Sequence, residues 1–367
     1  MIQIINHVWS QCEPQYIHIL KPHLLIDKTT YIHSRFGNKR KDYQKSLINR
    51  WGKFLTGYVP KLLGVLGEAA LTDNASCSYL VDPMNMSRRN TQIAPIPQFK
   101  LRPEQEEAIT ACLKMGRGIV HLPTGTGKTE IFLSLIREIA VQYSFLIIVH
   151  TQDIFLQTIK RAEAQFPGQV GRIGAGIIDP NRITIGMIQT LKDLNIEEAF
   201  QNLAGVFVDE AHHISKLNGS YAHVLQQLPN TPMRIGFTAT LPYIPEGKAA
   251  LEGYLGPVIY SKATSEVQSL AKPKIIIRRI PETKELAALR VYKDVYEMGI
   301  VRNRKRHMII IEDTVADLNA NLSVLILVTK IEHGMVLLRM FRSIHPDIRI
   351  EFVYGQTNKE ARTKIKD

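Results

Sequence analysis

The segment that most constrains the fold of this chain is residues 121–130, with the letters HLPTGTGKTE. Residues 118–120 before it are apolar and favour a short strand, and residues 131–140 after it favour an amphipathic helix. A strand, a glycine loop and a helix in this order direct the backbone N–H groups of the loop and the positive end of the helix dipole at one point. The segment therefore predicts a cradle for a phosphate group.

The residues of this cradle have separate expected roles. Lys128 is expected to reach the terminal phosphates of a nucleoside triphosphate, and the Thr129 hydroxyl is expected to ligate Mg²⁺. Leu122 stands where the strict pattern G-x-x-x-x-G-K-[ST] has its first glycine, so the loop alone is a weaker signal than the full pattern. The residues expected to surround the nucleotide are Thr124, Gly125, Thr126, Gly127, Lys128 and Thr129.

A second segment, residues 206–213 with the letters VFVDEAHH, adds the acidic groups that such a site needs. Asp209 would hold the Mg²⁺ shell at the end of an apolar strand, and Glu210 would orient and deprotonate the attacking water. An isolated Asp-Glu pair is equally typical of a solvated strand end. Together with the glycine loop, however, the pair predicts hydrolysis of a nucleoside triphosphate.

A third segment, residues 234–241, ends in Thr-Ala-Thr-Leu. The hydroxyls of Thr238 and Thr240 are candidates to bridge to His212 and so to sense the nucleotide. His212 would in turn relay the state of the site to a neighbouring loop. Thr-Ala-Thr by itself has no diagnostic value.

The balance of charge favours a polyanionic partner. The chain has 46 Lys and Arg residues against 34 Asp and Glu, a formal net charge of +12. Its three cysteines lie far apart, at no metal-ligand spacing, and an odd number argues against a disulfide framework. No secretory signal is recognisable, and no apolar run approaches the roughly 20 residues that span a bilayer. We therefore expect a cytoplasmic protein without membrane association.

Residues 1–95 are expected to form a small basic α+β domain, with strands at 16–20 and 79–81, a helix at 59–71 and a linker at 90–97. Aromatic residues are interleaved with its basic residues, which include Arg35, Lys39, Arg40 and Lys53. These four side chains are candidates to grip nucleic-acid phosphates, with an aromatic side chain stacking on a base. A solvated face above core aromatics would show the same pattern.

Strands and helices are expected to alternate from residue 96 to residue 265, which predicts a parallel sheet covered on both faces. The predicted strands are 118–121, 145–150, 183–187, 206–209 and 234–238, and the predicted helices include 104–114 and 154–166. Every motif above then lies at the carboxyl end of a strand, where such sheets bind ligands. Residues 266–367 are expected to open a second lobe. Its strands are predicted at 274–280, 324–328 and 348–353, and its helices at 284–298, 304–319 and 331–341.

The loop, the Asp-Glu-Ala-His run and the Thr-Ala-Thr run together resemble the first RecA-like lobe of superfamily 2 helicases of the DEAH/DExH type. The resemblance implies that Gln105 recognises adenine. It also implies that His150, Thr151, Gln189 and Thr190 face a nucleic-acid backbone, although each alone is equally typical of polar residues at a strand end. His150 stands where the family usually has proline. The implied cofactors are ATP and Mg²⁺.

Within the superfamily the arrangement is most similar to the bacteriophage UvsW type, related to RecG and XPB motors. This resemblance implies an ATP-dependent DNA helicase or translocase that unwinds or branch-migrates forked and branched DNA in recombination, repair or replication restart. The partner would be branched or forked DNA, the protein a monomer, and its compartment the bacterial host cytoplasm if the source is a phage.

Two elements of the family pattern are missing from the second lobe. One couples ATP to translocation, and the other is a Gln-x-x-Gly-Arg-x-x-Arg helix whose arginines complete the ATP site. The expectation is a truncated form of a longer helicase that binds nucleotide but turns it over poorly, because such arginines contribute roughly 10³- to 10⁵-fold in related sites. The alternatives are an RNA-remodelling helicase and, if the arginine helix is genuinely absent, a non-catalytic nucleic-acid clamp.

Overall fold

The computed structural model describes residues 2–34, 37–67, 71–72, 100–139, 143–200, 203–267, 270, 274–280, 284–355 and 357. Side chains are described over the same ranges except at 31–34, 37–39, 71–72 and 284–285. The chain divides into two compact units, Met1–Lys272 and Pro273–Asp367. The strand expected at 79–81 and the linker expected at 90–97 lie outside the described residues. Across the helices that the structure describes, none combines the length and the apolar character needed to cross a membrane.

The strands of the first unit are β1 (Ile2–Ile4), β2 (Trp9–Cys12), β3 (Leu25–Ser34), β4 (Gly37–Ser46), β5 (Lys53–Leu55), β6 (Leu71–Thr72), β7 (Arg117–His121), β8 (Ser144–Val149), β9 (Val170–Gly174), β10 (Ile177–Asp179), β11 (Ile183–Met187), β12 (Leu203–Val208), β13 (Met233–Thr238) and β14 (Val258–Ser261). Its helices are α1 (Ile17–Leu20), α2 (Val59–Leu66), α3 (Pro103–Met115), α4 (Lys128–Glu138), α5 (Gln152–Gln165), α6 (Ile188–Leu191), α7 (Ile196–Ala199), α8 (Ser220–Gln226) and α9 (Pro245–Leu255).

An eight-stranded sheet, in the order β10-β9-β11-β8-β12-β13-β7-β14, forms the centre of the first unit. All neighbouring strands are parallel except the edge pair β10 and β9. The central strands β12 and β13 are buried at every position, which fits a sheet covered on both faces. The predicted parallel α/β lobe is therefore confirmed, and the five predicted strands fall in β7, β8, β11, β12 and β13.

The N-terminal part contains a four-stranded sheet, in the order β5-β2-β1-β6, and a separate hairpin of β3 and β4. The strand predicted at 16–20 is wrong, because the chain forms one helical turn there, α1, which buries Leu20. The predicted helix with a proline at its start is present as α2 and ends at Leu66 rather than at residue 71.

The N-terminal sheet and the large sheet share one hydrophobic core. Tyr58 is buried and its hydroxyl donates to the carbonyl of Ala249 in α9 at 2.7 Å. On the other side, the backbone N–H of His7 donates to the carbonyl of Pro229 at 3.0 Å. The guanidinium of Arg117 is buried and donates to the His7 carbonyl at 3.3 Å. These contacts fix the small basic domain on the lobe.

In the second unit the helices are α10 (Lys284–Ala288), α11 (Tyr292–Tyr296), α12 (Arg304–Asn319) and α13 (Ile331–Ile344), with one turn of π-helix at Glu297–Val301. The prediction for α12 is confirmed, α13 extends three residues beyond its predicted end, and the helix predicted at 284–298 is interrupted between α10 and α11.

The three strands predicted in this unit are wrong. Residues 274–280, 324–328 and 348–353 form no strand. Leu325 and Leu327 are 82% and 85% exposed, and Ile275 and Ile277 are similarly open. A strand needs a hydrogen-bonded neighbour, and the described residues of this unit offer these segments none. Segments 324–331 and 348–354 instead border a cavity of about 840 Å³ beside α13.

Candidate functional site

The glycine loop follows β7 and ends where α4 begins at Lys128. Gly125 and Gly127 have φ angles of +85° and +75°, which side-chain-bearing residues rarely adopt, so the path of the loop depends on glycine at both positions. The Lys128 ammonium is nearly buried and lies 3.4 Å from the Leu122 carbonyl oxygen. The first turn of α4 therefore opens towards the cleft with its N–H groups and a cation together.

Asp209 and Glu210 follow β12 and face the same cleft. Asp209 is 8% exposed, and burial, followed by the adjacent charge of Glu210, raises the pKa of its carboxyl to about 6. Its Oδ1 accepts a hydrogen bond from the Glu210 N–H at 3.0 Å. Glu210 has a φ of +48°, an uncommon left-handed conformation for a non-glycine residue, which turns the chain sharply at the strand end.

The cleft between these elements has a volume of about 570 Å³. Its lining includes most residues that the sequence predicted: Gln105, Thr124, Gly125, Gly127, Lys128, Thr129, Asp209 and Glu210. Thr126 differs, because its side chain is buried beneath the loop and its hydroxyl donates to the Pro123 carbonyl at 2.8 Å. Thr126 therefore supports the loop rather than facing a ligand.

Gln105 supports the loop from α3. Its Nε2 donates to the Thr126 carbonyl at 2.8 Å, and its Oε1 accepts the Arg102 N–H at 2.9 Å. A Cβ on Gly127 would lie 2.5 Å from Gln105 Nε2. Gln105 thus borders the cleft where adenine recognition was expected. Both the nitrogen and the oxygen of its side-chain amide are hydrogen-bonded to backbone groups of the chain.

Arg161 lines the cleft from α5 and was missed in the sequence. It donates to Glu130 Oε2 at 3.1 Å, and its charge opposes the rise in the Asp209 pKa. Gln157 and Thr158 line the cleft from the same helix. The spacing of positions 157, 158 and 161 along α5 places them on one helical face, and this was the signal that could have revealed the arginine.

His212 joins the acidic turn to β13. Its Nδ1 lies 3.0 Å from Thr238 Oγ1 and 3.3 Å from Glu210 Oε2. The Thr238 hydroxyl donates its proton to the Thr240 carbonyl at 2.7 Å, so its oxygen must accept from His212, and Nδ1 carries the proton. Thr238 makes the predicted bridge, whereas Thr240 contacts Thr238 through its backbone.

A second cleft, of about 420 Å³, lies beyond the ends of β8 and β11. His150 and Gln189, which were expected to face a nucleic-acid backbone, line this cleft, and Gln189 Nε2 donates to the His150 carbonyl at 2.7 Å. Thr151 caps α5, its hydroxyl oxygen accepting the Ile154 N–H at 3.3 Å. Thr190 lies in α6 beside Gln189. Neither Thr151 nor Thr190 lines this cleft.

Three further residues of this second cleft were missed in the sequence. Lys192 and Lys216 are exposed on its rim, and Tyr221 is buried in its wall. They lie outside the recognisable motifs, in short turns and in α8, and no periodic pattern marked them.

The predicted basic residues of the N-terminal part fall on two different elements. Arg40 lies on β4, is 65% exposed and contacts Asp42 at 3.0 Å. Lys53 lies on β5, with its ammonium 4.8 Å from the centre of the Trp9 ring. Arg35 and the side chain of Lys39 lie outside the described residues.

The first unit is similar in sequence to known proteins. The profile of a family described as type III restriction enzyme, res subunit, matches residues 98–243. The DNA 3'-5' translocase XPB2 of Sulfurisphaera tokodaii is 35% identical over 188 residues, which is 49% of this chain and 41% of that protein. These matches support the similarity of residues 98–243 to superfamily 2 helicases. The resemblance proposed from the motifs is thereby confirmed.

A putative mitochondrial ATP-dependent helicase, irc3 of Schizosaccharomyces pombe, is 26% identical to this chain over 320 residues, which is 80% of this chain and 51% of that protein. The chain therefore spans about half, or less, of the length of these relatives. The crystal structure of bacteriophage T4 UvsW aligns with a TM-score of 0.54 at 17% identity, over 100% of this chain and 77% of that one. A likeness at that identity shows the shared fold.

Proposed function

We propose that the chain is the ATP-binding part of a DNA helicase or translocase that acts on forked or branched DNA. The observation that carries the proposal is the convergence of Lys128, Asp209 and Glu210 on one cleft at the carboxyl edge of the sheet. The relatives support it, since one is named a DNA translocase and another an ATP-dependent helicase.

The residues of the cleft fit ATP with Mg²⁺. Asp209 is a buried carboxylate whose raised pKa shows that the chain does not fully compensate its charge, and a cation would do so. Thr129 lines the same cleft and offers a hydroxyl. Magnesium is commonly held by one or two protein groups together with substrate phosphates, which is consistent with this small donor set.

Each residue then has a defined task. Lys128 and the N–H groups at the start of α4 bind and neutralise phosphate oxygens. Bound ATP supplies a phosphoanhydride bond whose hydrolysis releases energy. Glu210 is placed to orient a water and accept its proton, and His212 holds the Glu210 carboxylate against Thr238. Glu210→Gln is expected to keep ATP binding while abolishing unwinding by the intact protein.

The N-terminal part is proposed to select the branched substrate. Trp51 is 59% exposed, and the Arg50 guanidinium lies 4.1 Å from the centre of its ring, so an aromatic plane and a cation are presented together. Single-stranded bases stack on such rings while cations hold the backbone. Arg40 and Lys53 would add contacts to phosphates, as would Arg35 and Lys39. We propose that the protein works as a cytoplasmic monomer.

Anisotropy titrations with fluorescein-labelled DNA test this proposal. The wild-type chain is expected to bind a forked DNA at least several-fold more tightly than a linear duplex of the same composition. The double variant Arg40→Ala/Lys53→Ala should weaken fork binding and lower the slope of log affinity against log salt by about two, one for each lost phosphate contact.

The matched control is Lys114→Ala/Lys160→Ala, which removes two exposed cations from α3 and α5. Equal affinity for fork and linear duplex would contradict substrate selection, and equal losses in both double variants would contradict the assigned contacts. Tighter binding of a matched RNA fork would favour an RNA-remodelling helicase instead. Nucleotide binding without any turnover in the intact protein would favour the non-catalytic clamp.

A further inference from the structure

Two histidines that both line the second cleft stack on each other next to the acidic turn. The rings of His150 and His213 are nearly parallel, 14° apart, with their centres 3.9 Å from each other. His150 follows β8, whereas His213 follows the acidic turn after β12. Burial lowers the pKa of His213, followed by the positive fields of His150 and His212, so this ring is neutral near pH 7. The stack therefore joins the ends of β8 and β12, and the His213 ring in it is uncharged.

On the nucleotide side, His213 is tied to the acidic turn in two ways. Its backbone N–H donates to the Glu210 carbonyl at 3.0 Å, which helps to hold Glu210 in its left-handed conformation. Its ring centre lies 4.4 Å from that of His212, the residue whose Nδ1 contacts Glu210 and Thr238. A shift of the His213 ring would therefore change the position of the Glu210 carboxylate, which is proposed to orient water.

On the other side, His150 is held by the wall of the second cleft. Its carbonyl accepts from Gln189 Nε2 at 2.7 Å, and its Nδ1 lies 3.4 Å from the Tyr221 hydroxyl. Lys192 and Lys216 are exposed on the rim of the same cleft. Two cations, an amide and a hydroxyl around a groove are the groups that bind a phosphodiester backbone without reading bases.

We propose that His213, through its stack on His150, is a positioning residue that makes nucleotide affinity depend on a nucleic-acid strand in the second cleft. A strand that engages Gln189 and the two lysines would fix His150, and the stack would pass this ordering to His213, His212 and Glu210. The inference rests on the proposed function, because it assumes that the first cleft binds ATP and the second a phosphodiester backbone. Linkage requires the coupling to be reciprocal.

The experiment measures the dissociation constant of a fluorescent ATP analogue with Mg²⁺, without and with a saturating thymidine 12-mer, using the 367-residue chain. In the wild type the two constants should differ by roughly 5- to 150-fold. In His213→Ala the ratio should fall close to one. In His213→Phe, which keeps an aromatic ring for the stack, most of the ratio should return. His223→Ala on α8, an exposed histidine outside the stack, should keep the wild-type ratio.

His150→Ala removes the same stack from the β8 side and guards against a local folding defect at His213. It should also bring the ratio close to one, and the double variant should lose nothing further. A wild-type ratio in His213→Ala or in His150→Ala, or a ratio of one in the wild type, would overturn the inference. Failure of the wild type to bind the analogue or the 12-mer at all would overturn the proposed function and the inference with it.

Discussion

At the scale of single residues, the sequence indicated the chemistry of the site well because the residues concerned lie in short contiguous motifs. Lys128, Asp209 and Glu210 meet at one cleft as the strand-end motifs predicted. The sequence could not show that the Thr126 side chain is buried beneath the loop, or that the Gln105 amide is hydrogen-bonded to the loop backbone. Both features depend on how the loop packs in the folded chain. Arg161 was missed although its helical spacing with Gln157 and Thr158 offered a signal.

Asp209 gives a pH-dependent prediction at this scale. Its pKa of about 6 in the folded protein lies above the ordinary value of 3.8, so the folded state binds more protons between these values. Burial of the carboxylate therefore destabilises the fold fully above about pH 6 and not at all below about pH 4. Asp209→Asn should be more stable than the wild type at pH 8 by roughly 2–3 kcal/mol, with the difference vanishing near pH 4.

Urea unfolding of both proteins at pH 4, 6 and 8, without nucleotide or Mg²⁺, measures this difference. Asp193→Asn, which removes an exposed carboxylate, is the matched control and is measured at the same three pH values. An Asp209→Asn protein that is less stable than the wild type at pH 8 would show that the carboxylate is compensated in the folded chain.

At the scale of elements, hydrophobic pattern predicted the strands that are buried on both faces and failed where a strand is polar. The hairpin of β3 and β4 is paired along its whole length, from Leu25 with Ser46 to Ser34 with Gly37, yet its sequence is too charged to show an apolar face. The opposite error occurred at 324–328, where a continuous apolar run has no partner strand among the described residues of its unit. The hydrophobic pattern of a strand indicates which of its faces is buried, but it does not indicate which neighbouring strand pairs with it.

The seam between the N-terminal part and α9 gives a prediction at this scale. A Cβ on Gly57 would lie 2.0 Å from the Glu252 carbonyl oxygen and 2.5 Å from that of Gly253, both backbone atoms of α9. Because backbone cannot move aside cheaply, Gly57→Ala should push the seam apart and destabilise the first unit by at least about 1–3 kcal/mol.

Thermal unfolding measures this effect against Gly64→Ala. Gly64 lies in α2 with open space around its Cα, so alanine there should be neutral or should stabilise the helix by up to about 1 kcal/mol. Equal melting temperatures for the two variants would mean that the N-terminal part does not dock on α9 in solution.

At the scale of the whole molecule, the chain consists of two units, and the chemistry that the structure describes belongs to the first. The four-stranded N-terminal sheet and the RecA-like lobe share a core there, so a nucleic acid held by the N-terminal part would be fixed relative to the nucleotide cleft. No sequence motif predicted that the N-terminal part packs on the lobe. Tyr58, His7 and Arg117 carry no pattern that would indicate their partners in the fold.

The most direct test of the central claim is calorimetric titration of the 367-residue chain with a non-hydrolysable ATP analogue and Mg²⁺, for the wild type and for Lys128→Ala. The account predicts one site per chain in the wild type and a roughly tenfold to hundredfold weaker dissociation constant in Lys128→Ala, because a charge-assisted contact to phosphate is lost. Lys114→Ala, on the far side of α3, should bind as the wild type does. Equal affinity in the wild type and in Lys128→Ala, or no binding by the wild type, would contradict the assignment of this cleft to ATP.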